Sequence, residues 1–152
     1  ILQVLSTTKT DTFSHGTATF TDVTGLSQAI TPADNTNKVL VTATISIGVN
    51  IGVDNACFIK LLRDSTEIGS GASDGSNRVE CMASAVPSNT NAIQTVSISY
   101  LDSPASASSV TYKIQIAASN GGDVYVNRSH SDTDATPLAR CSSTITVMEV
   151  RA

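Results

Sequence analysis

The sequence predicts an all-β protein, an antiparallel β-sandwich, barrel or jelly roll of about eight to ten strands. Three observations predict it. Short stretches in which apolar and polar residues alternate recur along the whole chain, each bounded by turn residues. No segment of helical length carries a 3.6-residue apolar period. About a quarter of the chain is Ser or Thr, and aromatic residues make up only 4% with no Trp. Thr is β-branched and favours strands, and Ser suits turns.

The elements follow in order. Residues 2–13 alternate loosely and read as a first strand; His15-Gly16 makes a turn and 17–24 returns. Gly25 breaks that run, and 26–31 forms a short strand stopped by Pro32. Residues 38–48 are a strong strand, with Val39, Val41, Ala43, Ile45 and Ile47 on one face and Thr42, Thr44 and Ser46 on the other. A polar loop through Gly52 and Asp54-Asn55 leads to a strand at Cys57–Arg63, whose Cys57, Ile59 and Leu61 point inward. Asp64-Ser65-Thr66 reads as a hairpin turn into Glu67-Ile68. Residues 69–77 are a Gly/Ser/Asp-rich loop, and 78–85 form a strand ended by Pro87. Residues 92–101 place Val96, Ile98 and Tyr100 on one face, and 102–109 are a loop of small residues. Val110–Ala118 is the cleanest alternation, with Val110, Tyr112, Ile114 and Ile116 inward. A tight turn at 119–122, a short strand at 123–128, a long polar loop at 129–140 and a last strand at 142–150 complete the chain. The predicted inter-sheet layer is Val39, Val41, Ile45, Ile59, Leu61, Val96, Ile98, Ile114, Ile116 and Ile145.

The last strand is the most informative element. Ile145 and Val147 face one way, Met148 and Val150 the other. Apolar residues on both faces imply that one face meets the core and the other a second copy of the chain. Val147, Met148 and Val150 are therefore the candidate subunit-interface residues.

A chain of 152 residues is one domain by default, 1–152, and is long enough to bury a real core. It begins at Ile1 rather than Met, which predicts that it is the C-terminal part of a longer chain. The net charge of −4 offers no basic surface for nucleic acid or for an anionic membrane. No stretch approaches the ~20 apolar residues of a membrane span. Low charge with many hydroxyls suits an extracellular or virion-type β protein.

Catalytic signatures are missing from the sequence, which predicts a non-enzymatic protein. There is no Gly-x-Ser-x-Gly elbow and no His-Glu-x-x-His. His15 and His130 both fall in predicted turns, where an exposed loop histidine is the simplest reading. Cys57, Cys81 and Cys141 are an odd number, far apart and away from both histidines, which disfavours zinc and favours reduced core thiols. A Cys57–Cys81 bridge is the alternative. Asp132 and Asp134 could turn two carboxylates toward one Ca²⁺ if loop carbonyls and a neighbouring subunit completed the shell, with a solvated acidic loop as the plainer reading. Asn127-Arg128-Ser129 fits the glycosylation acceptor pattern.

The order of a long strand at 38–48, a strand with hairpin at 57–68, later an Ile/Val strand into a polar turn, and a C-terminal strand Ser-Thr-Ile-x-Val resembles the trimeric jelly-roll heads of the complement C1q and tumour necrosis factor families. Segments spanning the chain resemble C-terminal domains of fibre proteins from tailed bacteriophages of the marine and cyanophage type: Leu2-Gln3-Val4, Asp22-Val23-Thr24-Gly25-Leu26, Leu61-Leu62-Arg63-Asp64, Ser99-Tyr100-Leu101-Asp102-Ser103-Pro104, and Ser143-Thr144-Ile145-Thr146-Val147-Met148-Glu149. The resemblance implies a homotrimeric fibre tip that binds a host-surface glycan or protein. The alternatives are a head decoration with a purely structural, trimerising role and a glycan depolymerase. It also implies that the C-terminus returns to the base of the domain. Alternating strand directions backward from there places loops 102–109 and 129–140 together at the distal apex and 119–122 at the base. The candidate receptor-binding residues are then Asp102, Ser103, Arg128, His130, Asp132, Asp134 and Arg140.

Overall fold

A computed structural model describes residues 1–50 and 55–152 of the protein. The predicted loop at Gly52 and Asp54 lies outside the described residues. Eleven strand segments form among them: β1 (Gln3–Lys9), β2 (Phe13–His15), β3 (Thr21–Ile30), β4 (Lys38–Val49), β5 (Cys57–Arg63), β6 (Thr66–Ile68), β7 (Ala83–Ala85), β8 (Gln94–Asp102), β9 (Val110–Ala118), β10 (Val124–Val126) and β11 (Ser143–Val150). All the pairings are antiparallel and make two sheets.

Several segments are pieces of one interrupted strand. β4 pairs with β8 along one edge, through Val39–Ile47. Its other edge pairs with β11 from Lys38 to Thr44 and with β10 from Ile47 to Val49. β10 and β11 are therefore collinear. β1 and β2 continue this pattern on their far side, β1 against β11 and β2 against β10. The first sheet thus has four ladder positions: β1/β2, β10/β11, β4 and β8. The second runs β3, β9, β5, and then β6 and β7 end to end on the free edge of β5. Apart from the β5–β6–β7 series and the breaks within β1/β2 and β10/β11, the chain changes sheet at each connection. This is a jelly roll of eight ladder positions.

The alternation of the sequence explains the core. Val39, Val41, Ile45 and Ile47 of β4, with Ile145 of the neighbouring β11, face Ile59 and Leu61 of β5 and Ile114 and Ile116 of β9, all fully buried. Ile98 is buried with them, whereas Val96 is only partly covered and packs at the margin. Val110–Ala118 and Cys57–Arg63 form strands with the predicted bounds. Two differences have clear causes. Residues 17–31 hold one strand rather than two, because Gly25, at φ 81°, makes a bulge between Asp22 and Ser27 and does not end the ladder. The strand expected over 78–85 is confined to Ala83–Ala85, where β5 offers partners.

The register also sets the two ends of the sandwich. Gln3 pairs with Glu149, Glu149 with Val39, and Val39 with Asp102, so both termini and the loop after β8 share one end. At the opposite end His15 pairs with Val124 and Val124 with Val49, and the turn at 119–122 lies there as well. The expected placement of loops 102–109 and 119–122 is thus reversed. The reason is a single error of parity. β10 and β11 both run antiparallel to β4 and so point the same way, and counting them as opposed neighbours inverts every strand upstream.

Candidate functional site

The break between β10 and β11 creates the most distinctive surface of the molecule. Residues 127–142 leave the ladder as an excursion closed at its neck. Arg128 bridges Arg140 in antiparallel fashion, and Cys141 N donates to Asn127 O at 3.0 Å. Asn127, at φ 66°, holds the break together. Its Nδ2 donates to the carbonyls of Lys9 and Asp11, each at 2.9 Å, across the matching gap between β1 and β2. Its Oδ1 accepts from Ser143 Oγ at 2.6 Å, and Ser143 Oγ accepts from Ser46 N at 3.0 Å. The excursion then crosses the outer face of β4 at Gly48. A Cβ on Gly48 would overlap the Arg128 carbonyl oxygen and lie 2.8 Å from Ser129 Cα. Ser131 N reaches the Thr90 carbonyl, 3.0 Å away, in the loop before β8.

The excursion brings polar groups around Tyr125, on the outer face of β10. The Tyr125 hydroxyl lies 2.9 Å from His130 Nδ1. The Arg128 guanidinium stacks on the Tyr125 ring, 3.8 Å from its centroid, and its Nη1 donates to the carbonyls of Ser129 and His130 at 3.1 Å. Burial, followed by the negative charge of Asp123, pushes the Tyr125 hydroxyl above the ordinary tyrosine value. Asp132 sits between Arg140, to which it is hydrogen-bonded, and Arg128 Nη1 at 3.6 Å. The Arg140 hydrogen bond holds the Asp132 carboxyl below the ordinary aspartate range. Beside this cluster, at the end far from the termini, Ser14, His15, Gly16, Asp123, Tyr125 and Arg128 line a polar concavity. Gly16 lets the Asp123 carboxylate sit there, since a Cβ would lie 2.6 Å from Asp123 Oδ1.

Of the residues expected at the apex, Arg128, His130, Asp132, Asp134 and Arg140 are brought together on this excursion. Asp134 and Arg140 are exposed, and with Asp132 they line a second concavity. Asp102 does not belong with them. It lies at the end of β8 beside the termini and is buried, with Arg63 Nη1 at 2.7 and 2.9 Å and the Tyr112 hydroxyl at 2.7 Å. Its carboxylate is fully engaged in the fold, and Ser103 accompanies it at that end, its carbonyl 3.4 Å from Arg63 Nη1. Ser14, Asp123 and Tyr125 were not singled out in the sequence, because their proximity depends on the β2–β10 pairing.

The last strand needs one correction. β11 lies inside the first sheet, between β1 and β4. Val147 faces the sandwich core and is fully buried within the chain, so it is unavailable to a second copy. Met148 and Val150 face outward and are half-buried. Val4, Met148, Leu40 and Leu101 pair in register across four strands, forming an apolar row on the outer face, with Val4 and Leu101 clearly exposed. Glu149, unexpectedly, points inward. Its carboxylate accepts from Gln3 Nε2 at 2.6 Å, Asn37 Nδ2 at 2.6 Å and Ala33 N at 2.7 Å.

Cys57, Cys81 and Cys141 are all free thiols, so the Cys57–Cys81 bridge is not formed. Among the described residues no group of three or more His, Cys, Asp and Glu is arranged to hold a metal ion. The idea of Ca²⁺ at Asp132 and Asp134 is not supported, because Asp132 is already neutralised by two arginines. Asn127 is fully buried with its amide engaged on both sides, which removes it as a glycosylation acceptor in the folded chain. No helix among the described residues is long and apolar enough to cross a membrane. The sequence matches no protein-family model and no curated protein.

Proposed function

We propose that this chain is a non-enzymatic virion module, the homotrimeric tip of a fibre, which is joined to the particle at the end carrying its termini and presents the opposite end to a glycan or protein on the host surface. The observation that carries this reading is the polarity of the sandwich. Both termini meet at one end, through Leu2 N to Glu149 O at 2.9 Å and Ala152 N to Asn37 Oδ1 at 3.2 Å. The polar concavity around Tyr125 lies at the other. The apolar row Val4–Met148–Leu40–Leu101 supports self-association, since apolar patches on an outer sheet face mark contact surfaces. A stable contact buries more than about 1,000 Å². Three copies around an axis would raise the avidity of weak sites.

The test has two parts. Light scattering at micromolar concentration should give three times the chain mass, and labelled protein should attach to cyanobacterial cells. A folded monomer would sink the trimer, and absence of attachment across a panel of strains would sink the adhesive role. One observation favours a second reading, a capsid decoration with a structural role: Arg128, Asp132 and Arg140 satisfy one another within the excursion. A trimer that binds particles but not cells would select that reading.

A further inference from the structure

We propose that the concavity beside Tyr125 is a binding site for a neutral saccharide; this rests on the adhesive reading and names the ligand class of its distal face. Arg128 is opposed by Asp123, which lines the same concavity, and by Asp132, which is itself paired with Arg140. Within the concavity itself one arginine, Arg128, stands against one aspartate, Asp123, so its lining offers no net charge to an anion or a cation. The protein as a whole carries −4, which further disfavours an acidic ligand.

The hydrogen-bonding groups then select among neutral ligands. The exposed Asp123 carboxylate only accepts, with two oxygens. The Arg128 guanidinium only donates, and the contacts described above use the groups on Nη1, one of its three nitrogens. The Ser14 hydroxyl does both, whereas the Tyr125 hydroxyl, 2.9 Å from His130 Nδ1, keeps only part of its capacity for a ligand. Acceptors and donors side by side complement adjacent ligand hydroxyls, each of which is donor and acceptor at once. An apolar or aromatic ligand finds no platform, because the one aromatic face is covered by Arg128. His15 contributes little directly, as its Nε2 is occupied by the Thr19 carbonyl at 2.7 Å and Thr17 Oγ1 at 3.1 Å.

The positions of these groups are fixed by the fold. Ser14 and Tyr125 are register partners on β2 and β10. Arg128 is anchored by two carbonyls of its own excursion. Asp123 lies beside Gly16, where a side chain would crowd its carboxylate. Pre-positioned polar groups of this kind bind at a reduced ordering cost.

The experiment is a saturation-transfer NMR titration of the protein with maltose, lactose and mannobiose and their longer oligomers, and with oligogalacturonate as the acidic counterpart. Neutral probes should bind, and acidic ones should bind more weakly. Asp123→Asn should weaken neutral binding roughly tenfold or more, as expected for loss of hydrogen bonds to a charged group. Ser14→Trp, at an exposed strand position, should abolish it by filling the concavity. Circular dichroism should show both variants folded. No binding of any neutral probe up to about 10 mM, tighter binding of the acidic probe, or binding unchanged in a folded Ser14→Trp variant would each overturn the inference. Cell attachment that persists without saccharide binding defeats this inference and leaves adhesion standing. Saccharide binding without cell attachment does the reverse.

Discussion

The two faces of β11 make opposite predictions for adjacent residues. Val147→Asp places a carboxylate in the fully buried layer shared with Ile145 and the cross-strand partner Val41. Losing the burial of a valine costs about 1.5–3 kcal/mol. An unpaired buried carboxylate adds several more, but protonation limits that cost. Moving a proton onto an aspartate at pH 7 requires about 4 kcal/mol, from an ordinary value near 3.9. The total is about 6 kcal/mol at pH 7, against a typical stability of about 5–15. The loss should shrink as pH falls toward 4, where the carboxyl protonates cheaply. Met148→Asp, one residue on, projects from the outer face between Val4 and Leu40. It should leave each chain's fold within about 1 kcal/mol of the parent, as surface changes do, while dissociating the proposed trimer. Urea unfolding followed by circular dichroism measures the first effect, and light scattering the second. A Val147→Asp protein within about 1 kcal/mol of the parent at pH 7 would refute the inward register of β11. Global unfolding by Met148→Asp would refute its outward counterpart.

Three further outcomes follow from buried polar groups. Hydrogen bonds from Gln3, then Asn37, hold Glu149 below the ordinary glutamate value of 4.5, so its contribution to stability is complete above that pH and is lost as pH falls through the folded value. Glu149→Gln should therefore lower stability at pH 7 and flatten the decline between pH 5 and 3 in urea titrations; an unchanged acid limb would contradict this. Burial pushes the Cys57 thiol up to about 12, whereas Cys81 and Cys141 are partly accessible. Iodoacetamide at pH 8 should therefore label Cys57 last by mass spectrometry, and equal rates for all three would place Cys57 outside the core. Asn127→Asp replaces an amide that donates to two carbonyls with an acceptor facing them, and should cost about 1–3 kcal/mol. Hydrogen exchange should accelerate first across 127–142, and unaltered protection there would show that the amide does not hold the break.

The inward faces of β4, β5 and β9 were legible because each carries an unbroken period of two between a dry layer and solvent: Val39 to Ile47, Cys57 to Leu61, Val110 to Ile116. The last strand was half legible. Its alternation put Ile145 and Val147 on one face and Met148 and Val150 on the other, with Ile145 in the core, but Val147 was counted among the interface residues, and the pairing of β11 between β1 and β4 shows it buried inside the chain. Glu149 occupies an inward position that the pattern reserves for an apolar residue, and is tolerated only because three donors from distant segments converge on it. The excursion was legible as a polar stretch carrying Arg128, His130, Asp132, Asp134 and Arg140, but its meeting with Ser14, Asp123 and Tyr125 was not, since 123–128 reads like a separate antiparallel strand when it is the first half of β11's own line. Asp102 looked exposed because it opens a loop of small residues, yet Arg63 and Tyr112, from the opposite sheet, enclose its carboxylate.

The distal cluster exists because two neighbouring strands are broken at the same level. A break in one strand of a sheet strands the backbone groups of its neighbours, which is costly when they are buried. Here β1/β2 is interrupted at 10–12, directly across from the interruption of β10/β11. Side chains take over the missing ladder bonds: Asn127 serves the carbonyls of Lys9 and Asp11 on one side, and Ser143, bonded to Asn127, accepts the Ser46 amide on the other. Three strands are therefore stitched by two polar side chains. This repair frees residues 128–142 from pairing without unzipping the sheet. Gly48 then removes the one side chain that would stop them lying across β4. The polar residues that cover Tyr125 are thus held by the framework on both sides of the neck. A substitution within 132–139 should alter the surface alone, whereas one at Asn127, Ser143 or Gly48 alters the sheet that carries it.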